Sequence, residues 1–129
     1  MIGLDTNVLV RYLVQDDARQ AAVATRQIEA NRCFINSIVL CELVRVLNAA
    51  YGYDRREIAG VIEKILMTAE FEIENTDHAW AALKYYQGTK ADFADCLIAH
   101  TNRARGCEKT ISFDKRAAAL SGFAILPSS

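Results

Sequence analysis

The chain has 129 residues, 52% of them apolar and 24% charged, with a formal net charge of −1. That describes one ordinary soluble globular domain able to bury a core without staples, and it excludes a disordered chain. A nucleic-acid binder usually carries a basic excess, so the total charge argues mildly against one. Distribution outweighs the sum, however, and Arg11, Arg45, Lys90, Arg103, Arg105, Lys115 and Arg116 are candidates for a local phosphate-facing rim, with ordinary solvated surface as the alternative for each.

The opening Met1-Ile2-Gly3-Leu4-Asp5 has neither the basic nor the long apolar region of a signal peptide. Glu42, Arg45 and Asp95 interrupt the apolar stretches too early for a membrane span. A cytoplasmic protein without a membrane segment is therefore expected. The four cysteines (Cys33, Cys41, Cys96, Cys107) form no CxxC pair, and Cys41 and Cys96 fall inside apolar helical patterns, as buried free thiols do. His78 and His100 lie far apart in the chain with no ligand-spaced partner, so a zinc site is not expected.

In chain order, Ile2-Gly3-Leu4 reads as a strand ended by Asp5-Thr6-Asn7, followed by a helix from near Thr6 to Leu13. Asp16-Asp17 caps a second helix to about Ala30. Cys33-Phe34-Ile35 is the second strand, and Asn36-Ser37 caps an apolar helix from Ile38 to Ala50. Asp54 caps a helix from Arg55 to about Ala69, and Phe71 to Glu74 alternates as a strand. A helix from Thr76-Asp77 to about Gln87 and another from Ala91 to Arg105, stopped by Gly106, follow. Lys109 to Ser112 is a strand, Asp114 opens a short helix to Leu120, and Phe123 to Leu126 is the last strand. Strands alternating with helices specify one α/β domain, residues 1–129, with a mainly parallel central sheet of about five strands and helices on both faces. Such sheets carry their sites at the carboxyl ends of the strands.

Acidic residues recur at those ends. Asp5 follows the first strand; it is a candidate metal ligand or a turn aspartate, and Thr6 is also available as a cap. Glu42 lies in Val39-Leu40-Cys41-Glu42-Leu43-Val44, a helix apolar almost all round, where it fits no capping box and has Arg45 as its local partner. Asp92 and Asp95 are three apart on a helix whose buried stripe is expected to be Ala94, Leu97, Ile98 and Thr101, with Ala99 leaving open space beside the carboxylates. Asp92 is expected in the first turn, where it complements the helix dipole, and Asp95 about one turn in, where that account is weaker. Asp114 follows the strand ending at Ser112 and doubles as a helix cap. Several carboxylates in one water-excluding place stay ionised only if cations neutralise them, and Mg²⁺ or Mn²⁺ suits an all-oxygen ligand set. Such ions position a water and stabilise displacement at phosphorus. The sequence offers no catalytic triad, Cys-His pair, P-loop or dinucleotide fingerprint as a competing site.

Four ordered fragments carry a family resemblance: Ile2-Gly3-Leu4-Asp5-Thr6-Asn7-Val8-Leu9, Leu40-Cys41-Glu42-Leu43, Ala91-Asp92-Phe93-Ala94-Asp95-Cys96-Leu97-Ile98-Ala99 and Ser112-Phe113-Asp114. Together they resemble PIN domains, and within them the VapC-like toxins of toxin–antitoxin pairs. The resemblance implies a PIN fold over nearly the whole chain and a Mg²⁺- or Mn²⁺-dependent endoribonuclease. By it, Asp5, Glu42, Asp95 and Asp114 are the catalytic, metal-binding quartet. Asp92 joins them as a metal ligand, and Asn7 and Ser112 support the site. Ser112 stands where the family more often has threonine. The resemblance also implies a homodimer, an RNA substrate and a cognate antitoxin.

The residues leave rival functions open. A PIN nuclease of RNA maturation or decay needs no antitoxin. A catalytically idle PIN interaction module would not need the acidic set, which is intact. A phosphoacceptor receiver domain wants an acidic pair after its first strand, and Asp5 has no acidic neighbour. A surplus of apolar residues on the first four helices, notably Val39, Leu43, Val46 and Leu47 beside Leu40 and Val44, suggests a dimer interface, with central burial of that helix in the monomer as the alternative.

Overall fold

The computed structural model describes residues 1–128. The chain forms two compact units, Met1–Thr76 and Asp77–Ser129. The expected range 1–129 closes on Ser129, which lies outside the described residues.

The first unit runs β1 (Ile2–Gly3), α1 (Thr6–Val14), α2 (Ala18–Glu29), β2 (Cys33–Ile35), α3 (Ser37–Ala49), α4 (Arg55–Met67) and β3 (Phe71–Ile73). Its strands form one parallel sheet in the order β1-β2-β3, in register Ile2 with Cys33, then Cys33 with Phe71 and Ile35 with Ile73. Parallel neighbours need long crossovers, and each crossover here is a pair of helices. Helix starts follow their caps. Asp17 accepts from Gln20 N and Asn36 from Val39 N, and Asp54 with Glu57 makes a full capping box. The core consists of Leu9, Cys33, Ile35, Leu40, Leu43, Leu47, Ile58, Ile62 and Ile65, all almost fully buried.

Central burial is also the answer for α3. Val39, Leu40, Leu43, Val44 and Leu47 are buried within the chain, and Val46 is half-buried. The apolar surplus expected to mark a dimer interface is consumed by the core, and Ile38 alone on this helix is a large exposed hydrophobic.

The second unit contains α5 (Thr76–Gly88) from its second residue on, α6 (Phe93–Ala104), β4 (Thr110–Ser112), a short 3-10 helix (Lys115–Ala119) and β5 (Phe123–Ile125). The two strands pair in parallel, Thr110 with Phe123 and Ser112 with Ile125. Gly106, at φ +89°, ends the turn after α6, and Gly122, at φ +88°, ends the one before β5; both take a left-handed conformation that favours glycine. All five expected strands are present and all pair in parallel, but as sheets of three and two.

The buried stripe of α6 differs from the expected one. Phe93, Cys96, Leu97 and Ala99 are buried, Ala94 and Thr101 are half-buried, and Ile98 is 46% exposed. Ala99 is therefore part of the buried face. Of the thiols, Cys33 and Cys96 are buried, Cys41 is half-buried and Cys107 is exposed. Among the described residues no helix is long and apolar enough to cross a membrane.

Candidate functional site

In the first unit, the chain leaves β1 and turns into α1 at Asp5, whose backbone is extended (φ −83°, ψ 158°). Its side chain accepts from the Thr6 amide at 2.9 Å, so Asp5 itself is the helix cap. Thr6, the alternative cap, is spent otherwise. It is buried, and its hydroxyl donates to Glu42 Oε1 at 2.8 Å. Glu42 also has the expected neighbour, Arg45, but at 3.7 Å and with side-chain exposures of 43% and 73%. Solvent screens a pair of that kind, so the hydroxyl is the better-defined partner.

A cavity of about 410 Å³ lies in this unit, lined by Asp5, Thr6, Asn7, Arg11, Glu42 and Tyr51 among others. It brings Asp5, at the end of β1, to the same wall as Glu42 on α3. Arg11, one turn beyond Asn7, is fixed by a closed network. Its Nη1 donates to Asp16 Oδ1 at 3.2 Å and to Tyr51 Oη at 2.9 Å, and the Tyr51 hydroxyl donates to Asp16 Oδ2 at 2.7 Å. The Tyr51 hydroxyl, more than the Arg11 charge, holds the Asp16 carboxyl below its usual value.

In the second unit, Asp92 is the cap of α6 rather than a first-turn residue, extended at φ −65° and ψ 144°, and its side chain makes no capping hydrogen bond. Asp95 accordingly moves into the first turn, so the dipole account applies to it after all. Burial pushes the Asp95 carboxyl above its ordinary value, the Asp92 and Asp114 charges push the same way, and Arg116 opposes them. Asp114 caps the 3-10 helix. Its Oδ1 accepts from the Arg116 amide at 2.9 Å and from Arg116 Nε at 3.1 Å, and its Oδ2 accepts from Nη2 at 3.1 Å. That fork holds the Asp114 carboxyl below its usual range. The Ser112 hydroxyl oxygen, at the end of β4, accepts from the Asp114 amide at 2.9 Å, fixing the turn.

Among the described residues, no three His, Cys, Asp or Glu side chains are grouped as a ready-made metal cage. Asp5, Glu42 and Asp114 instead hold an amide, a hydroxyl and a guanidinium respectively. Within each unit the carboxylates offer only oxygen donors, which suit a hard divalent cation. In the second unit burial first, and then the Asp92 and Asp114 charges, raise the Asp95 carboxyl, and a cation beside it would offset both.

Two features escaped the sequence reading. Tyr51 joins Arg11 from forty positions away, and no local spacing signals it. His78 and His100, distant in sequence, stand edge to face with ring centroids 5.5 Å apart, and both Nδ1 atoms are buried with no hydrogen-bond partner among the described residues. Burial first, then His78, then Arg103, hold His100 below 6.5.

Compared with known proteins, residues 2–122 match the PIN domain model. A VapC ribonuclease of Aquifex aeolicus (strain VF5) is 28% identical over 117 residues, covering 88% of this chain and 87% of the relative. No solved structure gives a significant match.

Proposed function

We propose that this chain, which belongs to the PIN-domain family, is a divalent-metal-dependent endoribonuclease and the VapC-like toxin of a toxin–antitoxin pair. The observation that carries the reading is the cavity that seats Asp5 beside Glu42, with the Thr6 hydroxyl setting one Glu42 oxygen. The similarity to a VapC ribonuclease supports RNA as the substrate. Asp5, Glu42, Asp92, Asp95 and Asp114 are the carboxylates that hold Mg²⁺ or Mn²⁺, and residues 1–129 act as one domain.

When bound, the divalent cation supplies the positive charge that stabilises the phosphate undergoing in-line displacement. The protein's own groups do the rest. The Asp5 cap fixes its carboxylate at the start of α1, so one oxygen is oriented before any ligand arrives. Thr6 does the same for Glu42. Asn7 lines the same cavity and offers an amide to substrate. In the second unit Ser112 holds the Asp114 backbone, and Arg116 occupies both Asp114 oxygens until a cation competes for them. The family reading adds a cytoplasmic homodimer held inactive by a cognate antitoxin.

Expression of the chain alone in a bacterial host tests the biological role. Growth arrests, and co-expression of an antitoxin encoded beside the gene restores it. Arrest by Asp5→Asn at wild-type strength would place the toxicity elsewhere.

A further inference from the structure

We propose that Arg11, oriented by Asp16 and Tyr51, is a phosphate clamp that binds the RNA backbone next to the scissile phosphate; this rests on the ribonuclease reading above.

Asp5 and Glu42 line one cavity of the first unit. At about 410 Å³ it falls within the ordinary range of ligand pockets, roughly 300–1,000 Å³. Arg11 is the cation among its lining residues. The same side chain also lines a second cavity, of about 560 Å³ between α1 and α2, which shares Asn7 and adds Arg19. Arg11 thus stands on the wall common to both, where a strand leaving the carboxylates passes into the second cavity.

Its guanidinium is already aimed. Nε donates to Gln20 Oε1 at 2.7 Å, and Nη1 is held by Asp16 and Tyr51. Among the described residues Nη2 makes no hydrogen bond, so its two N–H donors remain for a ligand. A planar fork immobilised in this way loses little freedom when it binds, and phosphate is the anion its geometry suits. The guanidinium also offsets the carboxylates that would otherwise repel a polyanion. Asp16 and Tyr51 act through Arg11 and are positioning residues.

The alternative is a staple: Arg11 ties α1 to the loop after it and to the turn after α3, and does nothing for substrate. Steady-state cleavage of a short labelled single-stranded RNA in Mn²⁺, measured between about 50 and 200 mM KCl, separates the two. For Arg11→Gln, KM rises about ten-fold, far more than kcat falls, and the plot of log KM against log salt becomes shallower by about 0.7, the contribution of one phosphate contact on a single strand. Arg11→Lys, which keeps the charge, restores the slope. A staple predicts lower thermal stability with the wild-type salt slope, and that result overturns the clamp. Should Arg11→Gln fail to fold, Tyr51→Phe carries the test. It removes one hydroxyl, and a raised KM with little change in kcat supports the clamp while an unchanged KM overturns it. A wild-type protein that does not cut RNA with Mn²⁺ overturns the ribonuclease reading and the clamp together. Wild-type cleavage with an unchanged slope in Arg11→Gln overturns the clamp alone.

Discussion

The hydroxyl of Thr6 donates to Glu42 Oε1 at 2.8 Å, joining the first turn of α1 to the middle of α3 across thirty-six positions of sequence. Asp5 caps the same turn, so one short segment orients both carboxylates of the first unit's cavity. Thr6→Val keeps the side-chain shape and removes that bond. It is expected to cost about 1 kcal/mol, below the usual range for a bond to a charged group because Glu42 is part-exposed. The melting temperature then drops by a few degrees. Cleavage falls by roughly 10–100-fold through loss of Glu42 geometry. Thr6→Ser restores both. Melts and cleavage rates of the three proteins check this, and wild-type activity in Thr6→Val would contradict it.

Asp95 sits where burial and two like charges disfavour its ionised form. Its proton is held more tightly in the folded protein than in the unfolded chain, so at neutral pH the ionised carboxylate costs stability. Asp95→Asn is therefore expected to melt at or above the wild type in EDTA. Mg²⁺ should raise the wild-type melting temperature and raise that of Asp95→Asn less, because the ion binds only the native state. Thermal melts with and without metal check the pair. A clear loss of stability for Asp95→Asn in EDTA would mark a structural residue.

Arg116 occupies both Asp114 oxygens, the two that a cation would need if Asp114 is a metal ligand as proposed. Replacing Arg116 with alanine releases them, and Mn²⁺ affinity is expected to tighten roughly two- to five-fold, in line with the worth of an exposed ion pair. Calorimetric titration of both proteins with Mn²⁺ reads the change. Weaker binding in Arg116→Ala would show instead that the pair holds Asp114 in its ligand geometry.

Burial of His100, with His78 and Arg103 beside it, is expected to make the second unit acid-sensitive. His100, held below 6.5 by burial, His78 and Arg103, binds its proton less tightly when folded than when unfolded. Its contribution to stability is complete above pH 6.5 and is lost as pH falls through its lower folded value. His100→Gln should narrow the difference in melting temperature between about pH 7.5 and pH 5.5. An unchanged difference would remove His100 as the cause.

What the sequence made legible was local. Cys33–Ile35 as a strand, Asp17, Asn36 and Asp54 as caps, and Gly106 as a stop all depend on neighbouring residues, and the structure has each of them. α6 starts two residues later than its composition implies, because Ala91 favours helix while Asp92 adopts an extended cap. That shift moved Asp95 into the first turn, while the outward placement of Ile98 is set by which face of the helix packs. Pairing of the five strands as three and two is a long-range matter that periodicity does not encode. The same holds for the site. The acidic residues were readable from their positions after strands and on helices, but Thr6 on Glu42 and Tyr51 on Arg11 are tertiary contacts with no spacing signature. Asp114 was readable as a cap; the Arg116 fork on the same carboxylate was not foreseen.

The most direct test of the metal-dependent ribonuclease account is the rate at which the purified protein cuts a labelled single-stranded RNA in Mn²⁺, in EDTA, and after Mn²⁺ is returned in excess, with Asp5→Asn measured alongside. The account predicts internal cleavage in Mn²⁺, none in EDTA, full recovery on adding back the metal, and none by Asp5→Asn under any condition. Cleavage that persists in EDTA, or that Asp5→Asn retains at the wild-type rate, would contradict it.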